Sequence, residues 1–563
     1  MMTFSDDPNL AEQQMHAIIF YLTTFGYIDG DFDAKEKSFV RDYIGQLVSA
    51  RADKAMKGAD PTVKKEVVQK FTTHFHEVFE GIDRSVKDLF TEAIAQNEDQ
   101  NDFVHSKLKV RCFEIFESFD RPGQEQLMVT IDELIMADGE VHPAEAQFRA
   151  ELAALLEGDH GVLLEADDED KPAVEVSEVI AVPRVAANHP FFVPTEFHYS
   201  ADPERISTQI SGDRQLLDRV VEIWDEKRAA GKGKLDGKKS VADFAGQPEF
   251  LDGHVHVVPT DPTREYDITV LGDLHGCYSI LKATLMQSKF FDKVDAFRRD
   301  PKNNPEPRLV LLGDYIDRGL FSLNGVLRVV LQLFATAPEF VYVLRGNHEY
   351  YIEFKGNIYG GVKPAEAINT LKPHLPVEVF RHYQATFEAM PNLLLFDRIA
   401  FVHGGIPRDR LLKERWKDLS TLNDPDLRFQ MMWSDPSSAD VIPADLQDKS
   451  ARFAFGKLQF KSFLQRIGCH TMVRGHEKVN EGFAQNFDDP QARLFTLFSA
   501  GGMDNEDLPR DSSYRTVRPM ALTIKHGPSG TTFQPWSPDY ATYNDPEHNA
   551  FFKMPPEIAH KKD

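Results

Sequence analysis

The sequence predicts an α/β domain preceded by an all-α domain. Three observations carry this. Five apolar segments beyond residue 251 end in short polar clusters containing Asp, Asn or His. A Leu- and Val-rich stretch at helical spacing, Leu320 to Pro338, joins the second to the third, as a right-handed β-helix-β crossover requires. From Asp7-Pro8 to about Leu155, by contrast, the pattern is helical. The division expected is 1–157 helical, 158–250 an acidic linker with a helical or extended connecting segment, 251–530 the α/β domain and 531–563 a C-terminal tail.

In the first region Asp7 and Pro8 suit an N-cap and a first helical position. Apolar residues recur at helical intervals in Ile18, Ile19, Leu22 and Phe25, and again in Phe71, Phe75, Val78 and Phe79, the signature of a helical bundle. Asp29-Gly-Asp-Phe, followed by Glu36 and Phe39, is echoed by Asp138-Gly-Glu-Val, followed by Glu145 and Phe148. In both places the glycine reads as a helix C-cap and the acids as solvated caps of the next helix. The repeat resembles the helix-turn-helix of TerB-like domains, known from tellurite-resistance proteins. It is no EF-hand, because Ala34 and Val40 stand where that loop needs glycine and a bidentate glutamate.

Glu165 to Asp170 is too acidic and too poor in apolar residues to pack, so it reads as linker. Arg214 to Ala230 is a helix stopped at Gly231, and the Lys/Gly run to Lys239 is a solvated loop. His254 and His256 alternate on one strand face and are read as a polar, solvated face rather than metal ligands. Asp292 to Pro307 is read as an inserted charged loop.

The strand Val270-Leu-Gly-Asp-Leu-His-Gly-Cys-Tyr278 ends by presenting Asp273 and His275 two residues apart, on one side of an extended chain. A carboxylate beside an imidazole suits a borderline divalent metal. The second strand, Arg308 to Gly313, is followed by Asp314, Asp317 and Arg318; the third, from Phe340, ends in Asn347 and His348. Two more deliver His403 and His476. Parallel strands bring such ends to one rim, where open α/β sheets bind ligands.

The ordered series Gly-Asp-Leu-His-Gly, Gly-Asp-Tyr-Ile-Asp-Arg-Gly, Arg-Gly-Asn-His-Glu, His-Gly-Gly and Arg-Gly-His-Glu resembles the phosphoprotein phosphatase family of metallophosphoesterases, over roughly Asp267 to Ile524. The resemblance implies a β-sandwich flanked by helices and two divalent ions, manganese, iron or zinc. It implies that Asp273 and His275 hold one ion, that Asp314 bridges, and that Asn347, His403 and His476 hold the other. His348 becomes the general acid, oriented by Asp317, and Arg318 the phosphate grip. The implied activity is hydrolysis of phosphoserine or phosphothreonine in proteins by a hydroxide generated between the ions.

Two departures stand out. The family's second phosphate-binding arginine, upstream of Phe453-Ala-Phe-Gly456, falls on Lys449, with Arg452 three residues later; Arg452 is preferred because lysine lacks the bidentate fork. Gly501, Gly502 and Met503 stand where eukaryotic members place Pro-Asn-Tyr, an aromatic wall beside the metals.

The formal net charge of −25 argues against nonspecific binding to nucleic acid or anionic membranes. Cys112, Cys277 and Cys469 are scattered without zinc spacing, and no stretch is long enough to span a bilayer, so a cytoplasmic protein is expected. Its partner is then a phosphorylated protein, with the helical domain recruiting or regulating. A dinucleoside polyphosphate hydrolase and a stress-response scaffold with a weakly active phosphatase fold are the competing readings.

Overall fold

The computed structural model describes residues 8–558 except 28–31, 136–148, 151–173, 182–187, 199–202 and positions 59, 91, 93, 96, 97, 450, 451, 554 and 555. The chain forms two compact units, 1–163 with 437–459, and 164–436 with 460–563.

The first unit contains α1 (Pro8–Gly26), α2 (Ala34–Ala55), α3 (Pro61–Leu89), α4 (Gln100–Glu117) and α5 (Arg121–Ile135). The side chains that set the helical period make its core: Ile18, Ile19, Leu22, Phe25, Phe75 and Phe79 are all buried, joined by Val40, Leu47, Phe103 and Ile131. Phe71 departs from the pattern and is exposed. Aspartates start the helices. Asp33 and Glu36 form a reciprocal capping box on α2, and Asp60 and Asp99 cap α3 and α4. Of the acidic repeat, Asp29, Asp31, Asp138, Glu145 and Phe148 lie outside the described residues, as does the acidic linker at 165–170.

This unit also takes in residues 437–459, which the sequence reading had left inside the α/β domain. Ala439, Ile442, Leu446 and Ala454 bury themselves against Val110 and Phe113 of α4, and the Ser438 N–H donates to Glu114 Oε1 (3.1 Å). An amphipathic insert finds its apolar partner there, which periodicity within the insert alone does not reveal.

The second unit is built on two sheets. One runs in the order Val174–Val176, Gly530–Ser537, Ala521–Gly527, Tyr266–Leu271, Glu306–Leu311, Val341–Val343. The other runs Phe483–Asp489, Ala492–Leu497, Thr471–Arg474, Ile399–Val402, Leu393–Phe396, Val255–Val258, Phe250–Asp252. The motif strands are parallel neighbours: 266–271 with 306–311 and 341–343, and 399–402 with 471–474. Period-two alternation decides which core each residue joins. Val310 and Leu312 face inward with Phe401, Val473 and Phe495, whereas Leu309 and Leu311 face the helical layer with Leu281, Leu327 and Val330.

Several local expectations change. Asp292 to Pro307 is no loop, since Phe290–Arg299 is a helix whose Phe290, Val294 and Phe297 are buried. The helix expected from Arg214 already runs from Pro203 to Gly231. His256 is buried with its ring edge-on to Tyr342, so the supposed solvated face is an interior one, and desolvation holds its pKa well below the usual histidine value. His254 Nδ1 pairs with the Met390 carbonyl at 2.9 Å.

The C-terminal residues pack on this unit. Gly530–Ser537 is a sheet strand, Phe551 is buried against Tyr278 and Phe321, and the Glu557 carboxylate accepts the N–H groups of Leu323 (2.9 Å) and Asn324 (3.0 Å). Burial pushes the Glu557 carboxyl up to about 8. Because that folded value lies above the unfolded one, its contribution to stability is full below about pH 4.5 and is lost as pH rises through about 8. Glu557→Gln is expected to flatten the dependence of urea-unfolding free energy on pH in that window by up to ~1.4 kcal/mol per pH unit. An unchanged slope removes Glu557 as its source.

Candidate active site

The five motif strands end at one rim of the sandwich, and their last residues converge. His275 donates from Nδ1 to the Ile316 carbonyl (2.9 Å) and His403 from Nδ1 to the Leu312 carbonyl (3.1 Å). A carbonyl can only accept, so in both rings the Nε2 lone pair is left facing the cluster. His275 Nε2 lies 3.5 Å from Asp314 Oδ2 and 3.8 Å from Asp273 Oδ2; His403 Nε2 lies 3.4 Å from Asp314 Oδ1. Asp314 thus stands between the two sets.

The Asn347 amide completes the second set. It lies 2.9 Å from His403 Nε2 and 3.1 Å from His476 Nδ1. Two groups of ligand atoms, His275 with Asp314 and His348, and Asp314 with His403 and His476, each fall within 4.8 Å of one another.

The electrostatics fit cations. Asp273 Oδ2 is buried with no hydrogen-bond partner, and burial together with the neighbouring Asp314 charge pushes the Asp273 carboxyl up to about 7. Burial holds the His275 and His403 imidazoles below their usual value, in the neutral form that ligates. An oxygen and nitrogen donor set with crowded, desolvated carboxylates suits borderline divalent ions.

Backbone strain concentrates here. Of nine non-glycine residues with positive φ among the described residues, five are His275, Asp314, Asp317, Arg318 and His476. Such conformations cost energy and persist where surrounding contacts over-determine them. Glu349 is one such contact. Its buried carboxylate accepts the N–H groups of Asp314 (2.8 Å), Tyr315 (2.9 Å) and Gly346 (3.0 Å), pinning the second motif to the third. Asp273 Oδ1 likewise accepts the His476 N–H (2.8 Å).

Gly475 exists for the same reason, because a Cβ there would run into Asp273 Oδ1. Gly475→Ala is therefore expected to lower bound metal, read by mass spectrometry, with the circular dichroism spectrum kept. Full metal content in the variant overturns that account.

Beside the cluster, His348 Nδ1 pairs with Asp317 Oδ2 at 2.7 Å, and its Nε2 faces Asp314 Oδ2 at 4.0 Å. The other Asp317 oxygen accepts the Ala367 N–H (2.9 Å), which fixes the carboxylate; burial raises its pKa to about 6. Arg318 donates to Glu366 Oε1 (2.8 Å).

Three contacts were not read from the sequence. Glu366 holds Arg318; Arg474, fully buried, donates to Asp435 Oδ1 (2.8 Å) and to the Gly404 carbonyl. Tyr514 places its ring 5.4 Å from that of His275 and 5.4 Å from that of Phe498. An aromatic ring thus borders the cluster although Gly501 and Gly502 do not supply one; a Cβ on Gly502 would meet the Tyr540 ring, and Met503 is exposed. Glu366 opens the helix Glu366–Leu371 and Tyr514 lies in the 3-10 turn Ser513–Thr516, neither at a spacing that links it to the motifs.

Arg452 belongs to the helical unit, its guanidinium 4.9 Å from the Phe103 ring centroid and 3.9 Å from Glu92 Oε2. Lys449 ends the helix Ala444–Lys449 of the same unit.

Residues 266–480 match the family model for calcineurin-like phosphoesterases, and they form such a domain. Among its relatives are a probable serine/threonine-protein phosphatase of Encephalitozoon cuniculi, 26% identical over 48% of this chain and 54% of its own length, and the serine/threonine-protein phosphatase 6 catalytic subunit of Caenorhabditis elegans, 28% identical over 53% and 81%. The chain thus spans about half the length of the first. A solved serine/threonine phosphatase from Saccharomyces cerevisiae is 18% identical over 57% of this chain and 90% of its own, with a TM-score of 0.37. No helix among the described residues is long and apolar enough to cross a membrane.

Proposed function

We propose that the protein is a metal-dependent serine/threonine protein phosphatase. The observation that carries this is the convergence of Asp273, His275, Asp314, Asn347, His403 and His476 beside the His348–Asp317 pair. Asp273 and His275 would hold one ion and Asn347, His403 and His476 the other, with Asp314 between them. Manganese, iron or zinc ions bound there would activate water and neutralise phosphoryl charge.

The rest falls to the chain. Arg318, kept in place by Glu366, grips phosphoryl oxygens and stabilises the charge that develops on them. His348, its Nδ1 proton held by Asp317, delivers a proton from Nε2 to the departing serine or threonine oxygen. The helical unit is a TerB-like module that recruits or regulates, and the protein works in the cytoplasm.

The test is manganese-dependent turnover of a phosphothreonine peptide beside a diadenosine polyphosphate. Preferred peptide turnover supports the proposal; preferred dinucleotide turnover replaces it with the polyphosphate hydrolase. Purification without stoichiometric metal and without turnover leaves the scaffold.

A further inference from the structure

The helical unit carries a second cluster of metal-type donors, which nothing in the phosphatase reading uses. Glu12 and His16 lie four residues apart on α1 and so share one face of it; His74 comes from α3. One ligand atom from each falls within 4.8 Å of the other two, and His74 Nε2 stands 3.5 Å from Glu12 Oε1. The His16 and His74 ring centroids are 6.3 Å apart, tilted by 47°.

An exposed trio of this kind can arise by chance, and the decisive observation is at His16. Its Nε2 is shielded from solvent yet has no hydrogen-bond partner, a costly state for a ring nitrogen. The ring is held edge-on to Phe75 (centroids 5.8 Å), and His74 also packs against Phe75 (5.0 Å). Phe75 therefore positions both imidazoles while His16 Nε2 stays unsatisfied. A divalent ion removes that deficit.

The geometry permits it. Around an ion with metal–nitrogen distances of ~2.0–2.1 Å, neighbouring donor atoms sit roughly 3.3–3.5 Å apart. The Glu12–His74 pair is already at that separation, and side chains half exposed, as Glu12 (50%) and His74 (46%) are, can close the remainder by rotamer adjustment. Two imidazoles and one carboxylate on two helices is a donor set for zinc, with a fourth position left to water.

We propose that Glu12, His16 and His74 form a zinc(II)-class site that staples α1 to α3 in the helical unit, separate from the ions of the phosphatase cluster. The site lies on side chains outside the catalytic machinery, so its loss leaves turnover unchanged. It also differs from the acidic turns of the helical repeat.

The experiment uses full-length protein stripped with a chelator and reloaded with zinc alone, wild type beside the His16→Ala/His74→Ala double variant and Glu12→Gln. Wild type is expected to retain one more zinc per chain than the double variant. Zinc should raise its melting temperature through a transition that the double variant lacks, and Glu12→Gln should need more zinc for the same rise. Manganese-dependent peptide turnover should be the same in all three. Equal zinc content in wild type and double variant, or a zinc-induced melting shift that survives the double substitution, overturns the site. Because Glu12→Gln alters a half-exposed carboxylate, it answers even if the double variant misfolds: an unaltered zinc requirement counts against the proposal. The phosphatase reading stands or falls separately, on turnover.

Discussion

Replacing Asp314 with asparagine is expected to cut manganese-dependent turnover of a phosphothreonine peptide by about 10³-fold. The size follows from position. The two Asp314 oxygens face different histidines, Oδ1 towards His403 (3.4 Å) and Oδ2 towards His275 (3.5 Å). An amide keeps the shape but loses the negative charge and exchanges one acceptor oxygen for a donor NH2, which cannot ligate a cation. One half of the cluster then loses a ligand, and both lose the shared charge. The backbone costs stay in place, because Asp314 keeps its positive φ and its N–H bond to Glu349 is untouched. Metal content should fall while the circular dichroism spectrum and melting behaviour change little. Turnover within tenfold of wild type would sink the bridging role, and so would a large loss of activity at full metal content with no change in metal affinity.

The sequence disclosed most of this cluster because a strand end is a local object. Asp273 and His275 share a side through the extended chain that carries them, and the order of the motifs is enough to expect parallel strands and a common rim. What stayed hidden is what depends on tertiary partners. Glu349 sits inside a motif, yet that its carboxylate ties three N–H groups together follows only once the second and third strands pair. Tyr514 follows the loop in which Gly501, Gly502 and Met503 supply no aromatic ring; the ring comes from farther along the chain. Arg452 is preferred to Lys449 as a phosphate cation for its bidentate fork, and what the motif does not show is that its guanidinium lies over Phe103 of the helical unit. His256 alternates as a solvated strand residue would, but it is buried against the ring of Tyr342 from the other sheet. In each case period and motif fix what a residue belongs to locally, and burial decides what it touches.

His348→Ala tests the other half of the chemistry, and its signature is selectivity rather than size. With Asp317 gripping Nδ1 at 2.7 Å, His348 can offer only Nε2 to the leaving oxygen. A serine or threonine alkoxide is a poor leaving group, so it needs that proton in the transition state; an aryl oxide, far more stable as an anion, needs it less. The variant is expected to lose about 10²-fold or more in kcat on a phosphothreonine peptide and markedly less on an aryl phosphate. Bound metal should hold steady, since the bond from the His348 N–H to Asp314 Oδ1 (3.0 Å) is made by the backbone and survives the substitution. Asp317→Asn should show the same substrate contrast in weaker form, because the amide leaves the imidazole in place but removes the charge that stabilises its protonated state. Equal losses on both substrates would instead make His348 a binding residue, and the proton would have to come from elsewhere in the site.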